Sequence, residues 1–576
     1  MIKSLFGYIK EHKWLYLSIA LVLLLYDFTM LIPTQVIQRL VDHLSHHTLT
    51  QQNLIRDVGL LALVTICNYL SAYYWHLKIF QSSIDYKFLM QRRAFEKLVA
   101  MRTPFYEKFR SGDILTRFST DVEGMMEMAG YGIVILLYAG GMIAFVVPTM
   151  FFISWEISLL AMLPLMILMI WIYVLGKKQD KLVENNREAV ASLNDEVLET
   201  IEGVRVARAY SKKATQKEQF QLRTKALSKV GDQIAGIQYL YAPLSSVFIA
   251  LSTIIVLLIG AAFIKTGQLT IGQVIALQLY MISLIEPFWM LSDFILVYQT
   301  GKTSFKKVTE LIETTDDMEM SGKEELQHLI SIRFQDYYFT YPQAENPSLR
   351  NIAWQIEAGK TYGIVGKTGS GKTTLVRQLL QQYPIGQGEF QINGKSVGHY
   401  SRQSIEAMIG YVPQEHILFS KSVKDNIAFG KRNATLSDIE RAIETAAFSE
   451  DLKRMPDGLE TLIGERGVSI SGGQKQRISL ARAFIRQPEV LILDDSLSAV
   501  DAQTERRIIQ NIQKVRANQT TIIVTHRLSA IQQADWVLVL EDGQIVEEGT
   551  PNQLLNKGGW YAEQYQRQQH QKGGSK

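Results

Sequence analysis

GIVGKTGSGKTT, residues 363–374, is the stretch on which the fold turns. An apolar run leads into G-x-x-x-x-G-K-T, supplied by Gly366, Gly371, Lys372 and Thr373, and a helical pattern follows, which is the context a phosphate loop requires. Glycines let backbone N–H groups curl around phosphates, and the helix N-terminus adds its positive end. The lysine reaches the β and γ phosphates, and the threonine ligates Mg²⁺. Gly366, Lys367, Thr368, Gly369, Ser370, Gly371, Lys372, Thr373 and Thr374 are therefore the expected cradle for a nucleotide and its Mg²⁺. The alternative is a chance glycine loop, which average composition produces in roughly one chain of this size in fifty, and less often between a strand and a helix.

Downstream, LILDDSLSAVD at 491–501 ends an apolar run in two adjacent aspartates. Asp494, at the carboxyl edge of an expected parallel strand, is placed to hold Mg²⁺ through water, where a plain helix cap is the blander reading. Before it lies SISGGQKQRISLARA at 469–483, in which Ser471, Gly472, Gly473 and Gln474 open a strongly helical segment. Their N–H groups and the serine hydroxyl form a second anion-binding helix end. A bare Ser-Gly-Gly serves equally as a turn and cap, but this one stands about 100 residues after the phosphate loop and about 20 before Asp494, a placement that argues against it.

The remainder of the chain has a different character. Hydrophobic residues make up 47% of its 576 positions and mean hydropathy is near zero, as for a membrane part joined to a soluble one. A net charge of +4 gives no electrostatic case for a nucleic-acid partner. One cysteine, Cys67, excludes an internal disulfide framework and a thiolate metal cluster. No cleavable signal peptide is expected, since the first apolar run is too long and lacks a small-residue cleavage site.

Six stretches, 14–37, 54–79, 129–153, 157–175, 239–264 and 271–298, approach or exceed the roughly 20 residues a helix needs to cross the hydrocarbon core. The gaps after the second and fourth are long, polar and rich in Glu, Lys and Arg with interleaved apolar residues, so the spanning helices are expected to run well beyond the bilayer. Lys87, Arg92, Arg93, Lys97, Arg102, Lys108, Arg110 and Arg117 crowd the first of these gaps and 177–229 is as basic, whereas the opposite connections hold Arg39, Arg56 and Lys265. By the positive-inside rule both termini lie in the cytoplasm. MIKSLFGYIKEHK, 1–13, reads as an amphipathic helix on the inner membrane surface. HLSHH, 43–47, falls on the outer side and reads as a solvated loop rather than a metal site. The expected domains are a transmembrane part at 1–309, an acidic linker at 310–330, a soluble α/β domain at 331–565 in which runs such as TYGIVG and EVLILD alternate with helical patterns, and a polar, disordered tail at 566–576.

Together these motifs resemble an ATP-binding cassette (ABC) exporter half-transporter over nearly the whole chain. The resemblance implies a bundle of six transmembrane helices of the type I or type IV ABC exporter fold, followed by an α/β phosphate-loop nucleotide-binding domain. It also implies further roles. Tyr341 in FTYP is similar to the aromatic that stacks on adenine, and Gln414 in YVPQEHILF to the glutamine that contacts Mg²⁺ and the attacking water. Glu465 in IGERG resembles the loop that touches the transmembrane helices, Asp501 in SAVD the loop that communicates between two sites, and His526 in IIVTHRLS the switch histidine at the γ-phosphate. Without the resemblance Tyr341 is an ordinary strand aromatic, Gln414 a surface amide and His526 a structural histidine. Residues 103–121 and 203–216 resemble coupling segments, where the plain alternative is a solvated hairpin tip. In such exporters two cassettes face head to tail, each ATP sandwiched between the phosphate loop of one and the Ser-Gly-Gly-Gln of the other. One cassette behind six spans is then half of a machine, and a dimer in a lipid bilayer is implied.

The resemblance breaks at one position. Rapidly hydrolysing members carry glutamate directly after the Mg²⁺ aspartate, to polarise the attacking water; here that residue is Asp495. Aspartate has the same charge and nearly the same intrinsic pKa. Losing one methylene, however, pulls the carboxylate back by about 1.5 Å, and a displacement near 1 Å costs on the order of a hundredfold when a base must meet its water in line. The site with Asp495, Gln414 and His526 is therefore expected to bind ATP and hydrolyse it slowly. Ser471–Gln474 would complete the opposite site, whose phosphate loop and glutamate come from a different half-transporter. This pattern resembles the degenerate-site subunit of heterodimeric multidrug exporters of Gram-positive bacteria, although the retained His526 argues mildly against full degeneration. A homodimer with two sluggish sites, a lipid flippase with the same motor, and a regulatory ATP-binding subunit or ATP-gated channel are the competing readings.

Within the spans, Asp27 and Glu286 each fall roughly 20 Å along a helix. A carboxylate there costs about 2.5–3.5 kcal/mol on insertion scales and usually faces the bundle interior or a water-filled cavity. Glu286, Trp289 and Asp293 share one helical face. With Asp27 they are the candidate contacts for small hydrophobic, cationic compounds, through carboxylate attraction and aromatic contact; the alternative is helix packing with the acids paired or solvated. The expected activity is ATP-driven efflux across the cytoplasmic membrane.

Overall fold

A computed structural model describes residues 2–315, 322–464 and 470–573. It divides into two compact units, Met1–Ala100 with Arg110–Thr314, and Met101–Phe109 with Thr315–Lys576. Residues 316–321 of the expected linker, and Glu465, lie outside the described residues.

The first unit consists of six helical lines, each long and apolar enough to cross a membrane: Lys13–Ser45, Gln51–Ala100, Ser111–Ile153, Trp155–Ile201, Lys213–Lys265 and Ile271–Glu313. All outrun their apolar stretches, because the polar gaps continue as helix. The fourth and fifth lines are joined through a short helix, Val204–Ala209, none of whose residues is buried.

Two lines are broken, each a few residues before a proline. Lys13–Thr29 gives way to Leu31–Ser45 at Met30, where Pro33 supplies no N–H for the Thr29 carbonyl and its ring crowds it. Ile271–Ser283 gives way to Ile285–Glu313 at Leu284, and Pro287 bears the same relation to Ser283. The two upper pieces are bonded to one another at both ends. Near the breaks the Tyr280 hydroxyl donates to the Leu31 carbonyl at 3.1 Å. At the far end Asp42 accepts from the Thr270 hydroxyl at 2.9 Å and from the Gly272 N–H at 2.8 Å. Only glycine fits at 272, since a Cβ there would lie 2.3 Å from the Gln38 carbonyl.

Charged groups tie the opposite ends of the third and sixth lines. Buried Arg117 donates to Asp113 at 2.9 Å, to the Lys307 carbonyl at 2.8 Å and to Glu310 at 2.9 Å. Arg117–Asp121 is itself a π-helical turn, and a second one, Met128–Gly132, follows in the same line.

One expectation is extended and one corrected. The N-terminal helix, Ile2–Glu11, does not spend its apolar face on lipid alone: Tyr8 is buried, its ring is 4.9 Å from that of Tyr86, and its hydroxyl donates to the Ser82 carbonyl at 3.2 Å. His43 lies in the last turn of Leu31–Ser45 rather than in a loop, 3.0 Å from the Thr48 hydroxyl.

In the second unit the strands are β1 Ser331–Phe339, β2 Leu349–Glu357, β3 Thr361–Gly366, β4 Gln387–Ile392, β5 Lys395–Ser396, β6 Ile409–Val412, β7 Val490–Asp494, β8 Thr520–Val524, β9 Trp536–Glu541 and β10 Gln544–Gly549. They form a four-stranded sheet, β2-β1-β4-β5, and a six-stranded sheet, β10-β9-β3-β8-β7-β6. From β9 to β6 the larger sheet is parallel. Strands β7 and β8 are buried at every position, which suits the apolar residues Val490–Leu493 and Ile522–Val524 within them. Parallel pairing also sets the carboxyl ends of β3, β7 and β8 along one edge, the place where open α/β sheets bind ligands.

The tail is likewise corrected. Helix Trp560–Gly573 runs through residues 566–573, which the polar composition suggested were disordered, while 574–576 lie outside the described residues. Buried Tyr561 anchors its first turn.

Candidate functional site

The loop after β3 needs glycine at two points. Gly366 has φ +149° and a Cβ there would sit 2.1 Å from the Leu540 carbonyl; Gly371 has φ +99° and is the N-cap of helix Lys372–Leu379. The turn buries Lys372, whose ammonium donates to the Gly366 carbonyl at 3.0 Å, the Lys367 carbonyl at 2.7 Å and the Ser370 hydroxyl at 3.4 Å. Burial lowers its pKa, opposed by the charges of Asp495 and Asp494.

At the end of β7, Asp494 is buried, and its carboxylate accepts from the Thr373 hydroxyl at 3.4 Å and the Tyr411 hydroxyl at 3.5 Å. Burial pushes this carboxyl above the ordinary carboxylate range. Asp495 adopts φ +44°, a left-handed backbone rare for a residue with a side chain. Its N–H is fixed to the Val524 carbonyl at 2.8 Å and its carbonyl accepts from the Ser498 hydroxyl at 2.9 Å, so neighbours on both sides hold the strained conformation. Beyond β8, burial and then the charge of Lys372 hold His526 below its ordinary range, leaving a neutral imidazole at neutral pH.

These groups converge. A cavity of about 200 Å³ is lined by Thr368, Gly369, Ser370, Gly371, Lys372, Thr373, Thr374, Gln414, Asp494, Asp495 and His526. The Thr373 hydroxyl, the Gln414 amide and the Asp494 carboxylate present hard oxygens to one space, a donor set that suits Mg²⁺. Tyr341 borders the same loop: its hydroxyl donates to Thr374 at 3.0 Å, and its ring meets that of Tyr383 edge-on at 4.8 Å.

The other expected nucleotide residues lie apart from this cavity. Ser471 caps helix Gly472–Phe484 in a capping box: its hydroxyl accepts from the Gln474 N–H at 3.3 Å and its own N–H donates to the Gln474 side chain at 2.9 Å. Gly472 and Gly473 form the first turn of that helix. Asp501 caps helix Ala502–Val515, accepting from the N–H groups of Gln503 at 3.0 Å and Thr504 at 2.9 Å, and hydrogen bonding with Thr504 keeps its carboxyl below the usual range. One chain therefore carries a phosphate cradle and, outside the lining of that cavity, the capped start of helix Gly472–Phe484.

The membrane acids separate too. Glu286, Trp289 and Asp293 are all exposed on helix Ile285–Glu313. Glu286 accepts from the Tyr138 hydroxyl at 3.2 Å and Trp289 meets Tyr241 edge-on at 6.2 Å. Asp27 does not share their face. It is wholly buried, neither oxygen has a hydrogen-bond partner among the described residues, and a Cβ on Gly141 would lie 2.0 Å from its carboxylate.

Four contacts had no sequence signal. Tyr138, the partner of Glu286, sits in a continuous apolar run, and Gln568, which bonds the His526 carbonyl at 2.9 Å, sits in a glutamine-rich tail. Within the second unit the Arg102 side chain donates to the Gln381 carbonyl at 3.1 Å and the Tyr383 hydroxyl bonds Glu107, so part of the first expected coupling segment packs beside the phosphate-loop helix.

Comparison with known families matches the ABC transporter transmembrane region at residues 16–288 and the ABC transporter domain at residues 349–498. Over 566 residues the chain is 38% identical to YheI of Bacillus subtilis, a probable multidrug resistance ABC transporter ATP-binding/permease protein, covering 98% of this chain and 97% of that one. It is 29% identical over 557 residues to MdlA, a multidrug resistance-like ATP-binding protein of Escherichia coli, with 96% and 94% covered. It is 30% identical over 476 residues to an ATP-dependent lipid A-core flippase of Photobacterium profundum, with 82% and 81% covered. Among solved structures, a bacterial Atm1-family ABC exporter with ATP bound shares the fold at a TM-score of 0.80 and 23% identity, covering 96% of this chain and 98% of that one.

Proposed function

This chain belongs to the ABC transporter family, as an exporter with transmembrane region and ATP-binding domain in one polypeptide, and on that premise we propose that it is the slow-site half of a heterodimeric drug exporter. It is a multi-pass membrane protein and an ATPase coupled to transport, of a family that works as dimers. The finer reading rests on Asp495. Its backbone is held by the Val524 carbonyl in a left-handed conformation, so the strand end is not free to advance and make up the missing methylene. The carboxylate falls short of the attacking water, and turnover in this pocket is slow.

The remaining residues bind. Lys372 turns from its loop carbonyls to the β and γ phosphates, Tyr341 meets the adenine, and neutral His526 donates to the γ-phosphate. Thr373, Gln414 and Asp494 would hold Mg²⁺, which would offset phosphate charge. Ser471, Gly472, Gly473 and Gln474, remote from this cavity, close the partner's pocket, where a glutamate performs the fast hydrolysis, and Asp501 lies on the loop between the two sites. Residues 1–309 then form the transmembrane part and 331–565 the cassette, in the cytoplasmic membrane with both termini inside.

The cargo is a small hydrophobic cation. Glu286, Trp289 and Asp293 offer it charge and an aromatic face, and the multidrug relatives in Bacillus subtilis and Escherichia coli support the class. A lipid cargo is the second reading, favoured by the flippase relative; stimulation of ATPase activity by lipids and not by drugs would establish it. The decisive measurement is ATP turnover of the chain purified alone against that of its complex from native membrane. Little turnover alone and restoration in the complex are expected. Vigorous turnover alone, or abolition of the complex's activity by Asp495→Ala, would overturn the slow-site assignment.

A further inference from the structure

Helix Trp560–Gly573 is fastened at its start and, further along at Gln568, reaches the loop that carries His526. Tyr561 and Ala562 are buried, and the Trp560 N–H donates to Glu547 at 2.5 Å. Tyr561, Tyr565 and Gln568 follow at i, i+4 and i+7, so the anchored face carries Gln568 along with it. That face meets the loop after β8. There the Gln568 amide N–H donates to the His526 carbonyl at 2.9 Å, and its carbonyl accepts from the Leu528 N–H at 3.0 Å.

A side-chain amide that takes a carbonyl and an N–H two residues apart fixes the rotation of that loop as well as its position. Few side chains can do this. Glutamate offers acceptors only and lysine donors only, so neither satisfies both backbone groups. The loop is held from its other side by Arg527, which donates to the Ser498 carbonyl at 2.8 Å, the Val500 carbonyl at 3.1 Å and Glu505 at 2.7 Å. Of residues 526–528, His526 alone lines the phosphate cavity. No side chain bonds its ring among the described residues, so the aim of the imidazole is left to the backbone.

We propose that Gln568 is a positioning residue for His526, through which the C-terminal helix sets how strongly this pocket prefers ATP to ADP. The inference rests on the reading above that His526 faces the γ-phosphate. Contacts to the base and to the first two phosphates come from other residues, so a misaimed imidazole costs affinity for the triphosphate alone.

The test is equilibrium binding of Mg²⁺-ATP and Mg²⁺-ADP to the full-length chain, for Gln568→Leu, His526→Ala and the double variant. Gln568→Leu is expected to weaken ATP about five- to tenfold, the scale of one or two hydrogen bonds, and to leave ADP unchanged. His526→Ala should do at least as much, and the double variant should resemble His526→Ala, because both changes remove one interaction. If Gln568→Leu weakens ATP and ADP alike, or neither, while His526→Ala lowers the preference for ATP, the positioning role is wrong. If His526→Ala itself leaves the ATP-to-ADP ratio unchanged, the histidine assignment fails and the positioning role falls with it.

Discussion

The phosphate cavity and the membrane acids carry similar signals in the sequence, and the structure arranges them differently. At the cavity, residues from four separate parts of the chain, Lys372, Gln414, Asp494 and His526, reach one space. In the membrane unit, Asp27 and Glu286 share a comparable distance along their helices, yet one is sealed between helices and the other exposed. The end of a parallel strand has one place to go, so a polar residue immediately after a buried run is delivered to the sheet edge by the backbone itself. A helix delivers its residues by rotation. Distance along the helix follows from counting, but facing depends on every kink and partner, and Pro33 and Pro287 interrupt the first and sixth lines close to the two acids.

The contrast makes graded demands. If the proposed heterodimer holds, the largest effect should be that of Ser471→Arg in the complex, at the helix end proposed to close the fast pocket: steady-state ATP turnover is expected to fall on the order of a hundredfold, whereas Asp495→Ala changes it less than about twofold. Equal losses would mean that the two pockets are alike. Next, Glu286→Gln should lower stimulation of the ATPase by cationic compounds roughly tenfold and spare neutral ones, while Asp27→Asn leaves both unchanged. A matching loss at Asp27 would place the buried acid back among the substrate contacts.

Smaller effects sharpen the picture within each unit. Gly141→Ala drives a methyl group against the Asp27 carboxylate and should destabilise the protein by about 1–3 kcal/mol in thermal unfolding, whereas Gly140→Ala, with open space before it, should not. Smallest is a pH effect at Asp494. Because burial raises its pKa in the folded chain, the native state keeps this proton to higher pH than the unfolded one does. Stability without nucleotide should therefore decline as pH rises from the ordinary carboxylate range through the raised value. Asp494→Asn should remove that decline and raise the melting temperature slightly, while losing stabilisation by Mg²⁺-ATP.

What was legible in the sequence divides along the same line. The six helical lines and the sheet edge were readable because long apolar runs and glycine-bounded strands signal themselves locally. The role of Gln568 was not, since a glutamine-rich helix with few apolar residues carries no periodicity, and its hydrogen bonds go to backbone groups of a distant loop. Tyr138 was hidden for the opposite reason, one hydroxyl in an apolar helix whose partner is set by packing. Residues 1–13 are legible as an amphipathic helix, but nothing in the pattern distinguishes lipid from a neighbouring helix as the cover for Leu5 and Tyr8.

The paired bonds between Leu31–Ser45 and Ile271–Ser283 carry a mechanical consequence. Each piece begins or ends at a proline-induced break, at Met30 and at Leu284, and the two are fastened near those breaks and again at their tips. Fastened twice, they cannot swing separately. They form a single stiff blade on a double hinge, and whatever bends one joint must bend the other.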